Sequence, residues 1–170
     1  MDRKKVGTLV QEHQEWVFHS KGVQDTDKLA AVLAKLVIPG TVIALDGDLG
    51  AGKTAFSQSF ARHLGVEGVV NSPTFTLIKE YKGRLALYHM DVYRISLDEA
   101  EGLGLDEYFY GDGVSLVEWS SIIPELLPEA HLHIQMEVTG AEERVIRLDG
   151  YGAPYASWCQ ELSRSGVDKG

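Results

Sequence analysis

Leu45-Asp46-Gly47-Asp48-Leu49-Gly50-Ala51-Gly52-Lys53-Thr54 is the stretch that decides how this chain folds. Gly47, Gly52, Lys53 and Thr54 satisfy the phosphate-binding pattern Gly-x4-Gly-Lys-[Ser/Thr]. Upstream, Thr41-Val42-Ile43-Ala44-Leu45 is a short β-branched apolar run of the kind a buried strand needs. Downstream, Phe56, Phe60 and Leu64 recur at helical spacing, and Gly65 is placed to end that helix. A strand, a glycine loop and a helix N-terminus together make an anion cradle. The glycines allow backbone conformations that turn N–H groups inward, and the helix dipole favours negative charge. In such a loop Lys53 reaches the β- and γ-phosphates of a nucleotide, and the Thr54 hydroxyl binds Mg²⁺.

The 170 residues suit a single domain, 1–170, with 1–13 and 165–170 expected to be flexible. Lys and Arg number 16 against 25 Asp and Glu, a net charge of −9, which argues against a chain that grips nucleic acid unaided. The lone Cys159 allows no internal disulfide and belongs to no metal-ligand spacing. With no apolar run of about 18 residues and no signal-peptide pattern, the expected location is cytoplasmic, with no membrane association.

Glu15 to Ser20 reads as an edge strand with Trp16 and Phe18 on one face. Asp25 or Thr26 is placed to cap a helix carrying Leu29, Val32, Leu33 and Leu36 on one stripe. Thr26 either caps that helix or lies beside a nucleotide base. Beyond the loop helix, two alternating runs separated by Lys82-Gly83 predict an antiparallel hairpin, its second strand spanning Arg84 to Tyr93. Asp91 falls near the end of that strand, where a P-loop enzyme keeps its Walker B carboxylate. His89, on the same face, either approaches the phosphates or is a strand histidine with its own partner. Val114 to Val117 is a second buried strand, and Glu118 at its carboxyl end points into the ligand crevice of an α/β fold. Glu118 is therefore a candidate for Mg²⁺ or for orienting water, and Trp119 packs either at the site rim or in the core.

Farther on, Ser96-Leu97-Asp98-Glu99 forms a capping box, and His131 to Val138 is expected to pair with Arg144 to Asp149, His131 and His133 facing solvent. Pro154 starts a last helix whose Tyr155, Trp158, Cys159 and Leu162 form a stripe that docks on the sheet. The sum is an α/β, three-layer P-loop NTPase fold with a mixed central sheet and an antiparallel hairpin after the loop helix.

These motifs resemble the TsaE family (also YjeE or YdiB), P-loop ATPases of bacterial tRNA threonylcarbamoyladenosine (t6A) biosynthesis, in its Bacillus-type form. The likeness rests on Gly47–Thr54, Asn71-Ser72-Pro73-Thr74-Phe75-Thr76, Tyr88-His89-Met90-Asp91-Val92-Tyr93-Arg94 and Leu116-Val117-Glu118-Trp119, in family order. It implies a protein that binds ATP and Mg²⁺, hydrolyses ATP slowly alone, and acts with TsaD and TsaB in modifying adenosine 37 of tRNAs reading ANN codons. Hydrolysis resets the TsaB–TsaD complex, and tRNA is met only through it. The resemblance implies ATP contacts at Gly50, Ala51, Gly52, Lys53, Thr54 and Ala55, with Thr26 beside the adenine, and Mg²⁺ on Thr54 and Glu118. With it, Lys53, Asp91 and Glu118 are the expected catalytic group and Ser72, Thr74 and Thr76 a switch-like segment; from the residues themselves, Trp119 and Arg94 are candidates for the site rim.

Two other readings are open. A P-loop kinase phosphorylating a small metabolite would carry a lid of clustered arginines, whereas Arg62, Arg84, Arg94, Arg144, Arg147 and Arg164 are scattered. A guanine-nucleotide switch would carry Asn-Lys-x-Asp, which is absent, so ATP is preferred.

Overall fold

The computed structural model describes residues 12–48, 50–71 and 77–167. The expected switch-like residues Ser72, Thr74 and Thr76 lie outside the described residues, as do Leu49, 1–11 and 168–170. The elements in chain order are β1 (His13–Ser20), α1 (Val23–Leu36), β2 (Val42–Gly47), α2 (Lys53–His63), β3 (Ile78–Lys82), β4 (Ala86–Asp91), α3 (Leu97–Glu101), α4 (Leu105–Phe109), β5 (Val114–Glu118), two 3-10 turns (Ser120–Ile122 and Pro124–Leu126), β6 (His131–Val138), β7 (Arg144–Tyr151) and α5 (Tyr155–Arg164).

The strands form one sheet in the order β1-β7-β6-β2-β5-β4-β3. β2 runs parallel to both its neighbours, β5 and β6, and β4 runs parallel to β5. The β3–β4, β6–β7 and β1–β7 pairs are antiparallel. Every residue of β2 and β5 is buried, which a continuous apolar run requires when both sheet faces are covered. On one face Ile43, Leu45, Leu116 and Ile134 pack with Leu29 and Leu33 of α1, Phe56 and Phe60 of α2, and Leu162 of α5. On the other, Val42, Met90 and Val117 pack with Ala100, Leu105 and Phe109. These are the three expected layers, and the hairpin after the loop helix is present. No helix among the described residues is long and apolar enough to cross a membrane.

The C-terminal stripe docks as expected. Tyr155, Trp158, Cys159 and Leu162 are buried, and α5 lies against β1 and β7. Its first turn fits because Gly150 of β7 lies directly beneath the Tyr155 carbonyl, where a Cβ has no room. The Tyr155 hydroxyl accepts a hydrogen bond from the Val42 N–H at 2.9 Å, tying this helix to the strand that feeds the loop. Tyr155→Phe should cost about 1–3 kcal/mol by leaving that buried donor unsatisfied. The measurement is the urea midpoint, at unchanged slope.

Several expectations are corrected. Neither Asp25 nor Thr26 caps α1: the cap is Gly22, whose carbonyl accepts from the N–H groups of Asp25 and Thr26 at 3.1 and 3.3 Å. The Asp25 carboxylate instead accepts from the Lys21 N–H at 2.9 Å, which draws Asp25 into the first turn. The second hairpin strand is shorter than Arg84 to Tyr93, because Arg84 donates from its N–H to Leu64 O and from its guanidinium to Ala34 O and Val37 O. Nor do His131 and His133 face solvent: His131 bonds through Nδ1 to Pro128 O and His133 through Nε2 to Asp46 Oδ2, each at 2.8 Å. At the ends, His13 already belongs to β1, and Val167 is buried in the main core.

Candidate nucleotide-binding site

β2 ends at Gly47 and α2 starts at Lys53, so the glycine loop spans the gap between the central strand and a helix N-terminus. Gly50 and Gly52 have φ of +83° and +105°, conformations that side-chain-bearing residues rarely adopt. Gly52 is the N-cap of α2. The first-turn N–H groups of a helix have no intrahelical acceptor, and here they adjoin the loop, giving a ready anion site.

Arg144, at the start of β7, braces the loop from its far side. Its Nε donates to Ala51 O at 3.0 Å and its Nη2 to Gly50 O at 3.2 Å, while Nη1 donates to Gly140 O and Glu143 O at 3.2 and 2.8 Å. Since a trans peptide is planar, fixing the Ala51 carbonyl toward Arg144 turns the Gly52 N–H the opposite way. Sequence reasoning noted Arg144 only as one of several scattered arginines, and no local pattern marks its role. Arg144→Ala should weaken nucleotide binding about tenfold or more through loss of these charge-assisted bonds. Arg144→Lys should not restore it, because a single ammonium nitrogen cannot replace the three separate nitrogens with which the guanidinium reaches four carbonyls. Equilibrium titration with a fluorescent ATP analogue measures both.

Lys53 is only 6% exposed. Its Nζ donates to Gly47 O at 2.5 Å and Asp48 O at 3.1 Å, and lies 4.3 Å from the centroid of the Trp119 ring. Burial pulls the Lys53 pKa down, against the opposing fields of Glu118, Asp46, Asp48 and Asp91. Trp119 therefore does face the site, and Tyr93 packs on it at 4.5 Å. Among the described residues Trp119 alone is a non-glycine with positive φ, +63°. The following turn over-determines that conformation: Ser120 Oγ and the Ser121 N–H both donate to Asp46, at 2.5 and 3.2 Å. Burial alone would raise the Asp46 pKa, but its bonds to His133, Ser120 and Ser121 outweigh it and hold the carboxylate below its ordinary range.

Asp91 and Glu118 are in register across β4 and β5. Glu118 is buried, and its Oε2 accepts from His89 Nε2 at 2.6 Å and from Ser57 Oγ at 3.2 Å. Asp91 accepts from the Tyr93 N–H at 3.0 Å; burial, with Glu118 adding to it, pushes its carboxyl pKa up. Thr54 and Ala55 are exposed in the first turn of α2, and Thr54 makes no side-chain hydrogen bond among the described residues. Ser57, three residues on and so on the same side of the helix, is the α2 residue that meets Glu118.

Thr54, Asp91 and Glu118 offer hard oxygen donors of the type Mg²⁺ takes. Among the described residues no group of three or more His, Cys, Asp or Glu forms a metal cage. Thr26 is 5% exposed and, with Ala51, Gly52, Ala55, Met136 and Arg144, lines a cavity of about 180 Å³ beside the loop. Arg94 is exposed and makes no hydrogen bond or ion pair among the described residues, so the structure does not join it to this group. The larger cavity, about 560 Å³, opens at the other end of β2 beside Thr41, Tyr110 and Pro154, and no loop residue among the described ones lines it.

Fold and loop together define a P-loop nucleotide-binding protein. The family model described as "Threonylcarbamoyl adenosine biosynthesis protein TsaE" matches residues 20–146. The tRNA threonylcarbamoyladenosine biosynthesis protein TsaE of Bacillus subtilis is 53% identical over 142 residues, covering 83% of this chain and 89% of that one. Its counterpart from Treponema pallidum is 42% identical over 130 residues, covering 76% and 96%. The crystal structure of Bacillus subtilis YdiB superposes with a TM-score of 0.78 at 43% identity, covering 93% of this chain and 99% of that one. The chain belongs to the TsaE family.

Proposed function

We propose that this protein is a Mg²⁺-dependent ATPase of tRNA threonylcarbamoyladenosine biosynthesis, and that its nucleotide state acts on a complex of TsaD and TsaB. The observation that carries the reading is the position of Lys53. It is a nearly buried cation at the mouth of the glycine loop, in the field of Glu118, Asp46, Asp48 and Asp91. In this reading Gly50, Ala51, Gly52, Lys53, Thr54 and Ala55 hold the phosphates, and Thr26 borders the adenine in the cavity beside the loop. Thr54 and Glu118 hold Mg²⁺, which when bound neutralises charge on the phosphates. Lys53 does the same from the protein side, and Asp91, in register with Glu118, is the Walker B-like acid. The switch-like role of Ser72, Thr74 and Thr76 belongs to the same proposal.

Slow turnover by the isolated protein follows. The Arg144 guanidinium is already engaged with four backbone carbonyls, and among the described residues Arg94 is joined to no acidic residue. An element supplied by the partner complex would complete the stabilisation of the transition state. The net charge of −9 suits an ATPase that works in the cytoplasm through protein partners and meets tRNA only indirectly. Steady-state ATP hydrolysis with and without TsaB–TsaD tests this. Stimulation by the complex is expected; phosphoryl transfer to a small metabolite outpacing transfer to water would replace the reading with a kinase.

A further inference from the structure

We propose that His89 is a positioning residue for Glu118: it holds one carboxylate oxygen so that the other is presented to the metal of bound nucleotide. The inference rests on the Mg²⁺–ATP reading above. His89 is 1% exposed, on the face of β4 that meets α2, and its Nε2 lies 2.6 Å from Glu118 Oε2. Ser57 Oγ donates to that same oxygen from α2 at 3.2 Å. Both bonds fall on Oε2. Oε1 accepts none among the described residues. The carboxylate is thus gripped on one oxygen and unengaged on the other, and His89 Nδ1 is itself buried without a partner.

The orphaned Nδ1 is what separates this role from a structural one. A histidine kept for packing or for a core network satisfies both ring nitrogens, because each unpartnered polar atom buried in a core is costly. Here the ring tolerates one such atom and makes a single side-chain bond, to Glu118. A carboxylate oxygen only accepts, so Nε2 is the donating nitrogen of this pair and fixes where Oε2 lies. Outer-shell partners of this kind govern the orientation of metal-binding carboxylates generally.

The test compares the wild-type full chain with His89→Leu, His89→Gln and Glu118→Gln. Three quantities are read: Mn²⁺ binding by electron paramagnetic resonance with a non-hydrolysable ATP analogue, nucleotide affinity in EDTA, and the urea transition. His89→Leu should weaken Mn²⁺ binding about 10- to 100-fold, leave metal-free nucleotide affinity unchanged, and keep a single cooperative urea transition. His89→Gln, whose side-chain amide can donate to the same oxygen, should recover most of the Mn²⁺ affinity. Wild-type Mn²⁺ affinity in His89→Leu overturns the proposal, as does equal loss in His89→Leu and His89→Gln. If the wild-type chain binds no Mn²⁺–nucleotide, or if Glu118→Gln binds it normally, the Mg²⁺–ATP reading itself falls and the inference with it.

Discussion

Lys53→Ala should reduce ATP hydrolysis by on the order of a hundredfold or more, since removing one preorganised donor at a developing charge typically has an effect of that size. The protein should stay folded. Wild-type Lys53 sits in a partly desolvated place that pulls its pKa down, so deleting it removes an unfavourable burial along with its bonds to the Gly47 and Asp48 carbonyls. Its contact with the Trp119 ring adds about 0.5–2 kcal/mol, which sets the scale of any loss in stability. Lys53→Arg should not rescue activity, because a planar guanidinium does not reproduce a point charge held between two loop carbonyls and an indole ring. Single-turnover hydrolysis and a thermal melt on the same samples separate the two effects.

Gly47→Ala should be damaging in a different way. Gly47 has a φ of +153°, and a Cβ there would lie 2.6 Å from the Met136 carbonyl oxygen and 3.2 Å from Ala51 Cβ. The first obstacle is the backbone of β6, which pairs in register with Gly47, so no flexible side chain can yield. Backbone strain and overpacking together should destabilise the fold by about 2–5 kcal/mol, and nucleotide binding should be lost because the loop's first anchor moves. Gly50→Ala is the control. A Cβ at Gly50 meets nothing within 4 Å, and only its φ of +83° opposes the change, for about 1–2 kcal/mol. Urea denaturation of the two variants should therefore differ clearly; equal stability would show that the close approach of β6 to the loop is misjudged.

Much of this architecture is legible locally. The β2–loop–α2 unit, the β3–β4 hairpin, the capping box at Ser96 and the stripe of α5 each declare themselves by spacing within one short window. Both hydrogen bonds of the Ser96 and Glu99 box are present. What local pattern does not carry is the identity of the neighbour across a sheet. Alternation places His133 on a face of β6, but only the insertion of β6 between β7 and β2 brings it to Asp46. The same holds for Arg144, whose partners Ala51 and Gly50 belong to the loop 93 and 94 residues earlier in the chain. His89 and Glu118 were each legible as residues near a site. Their bond depends on β4 pairing parallel with β5 in the register that sets Asp91 beside Glu118. Asp25, a good capping residue by type, does not cap α1 because its carboxylate is already engaged by the Lys21 N–H.

If the loop at Gly47–Thr54 works by holding ATP for t6A formation, the t6A content of tRNA depends on it, and mass spectrometry reads that content in cells whose only copy of this protein carries Lys53→Ala. With the variant present at wild-type abundance, t6A should be lost from tRNAs reading ANN codons. A normal t6A level under those conditions would contradict the account.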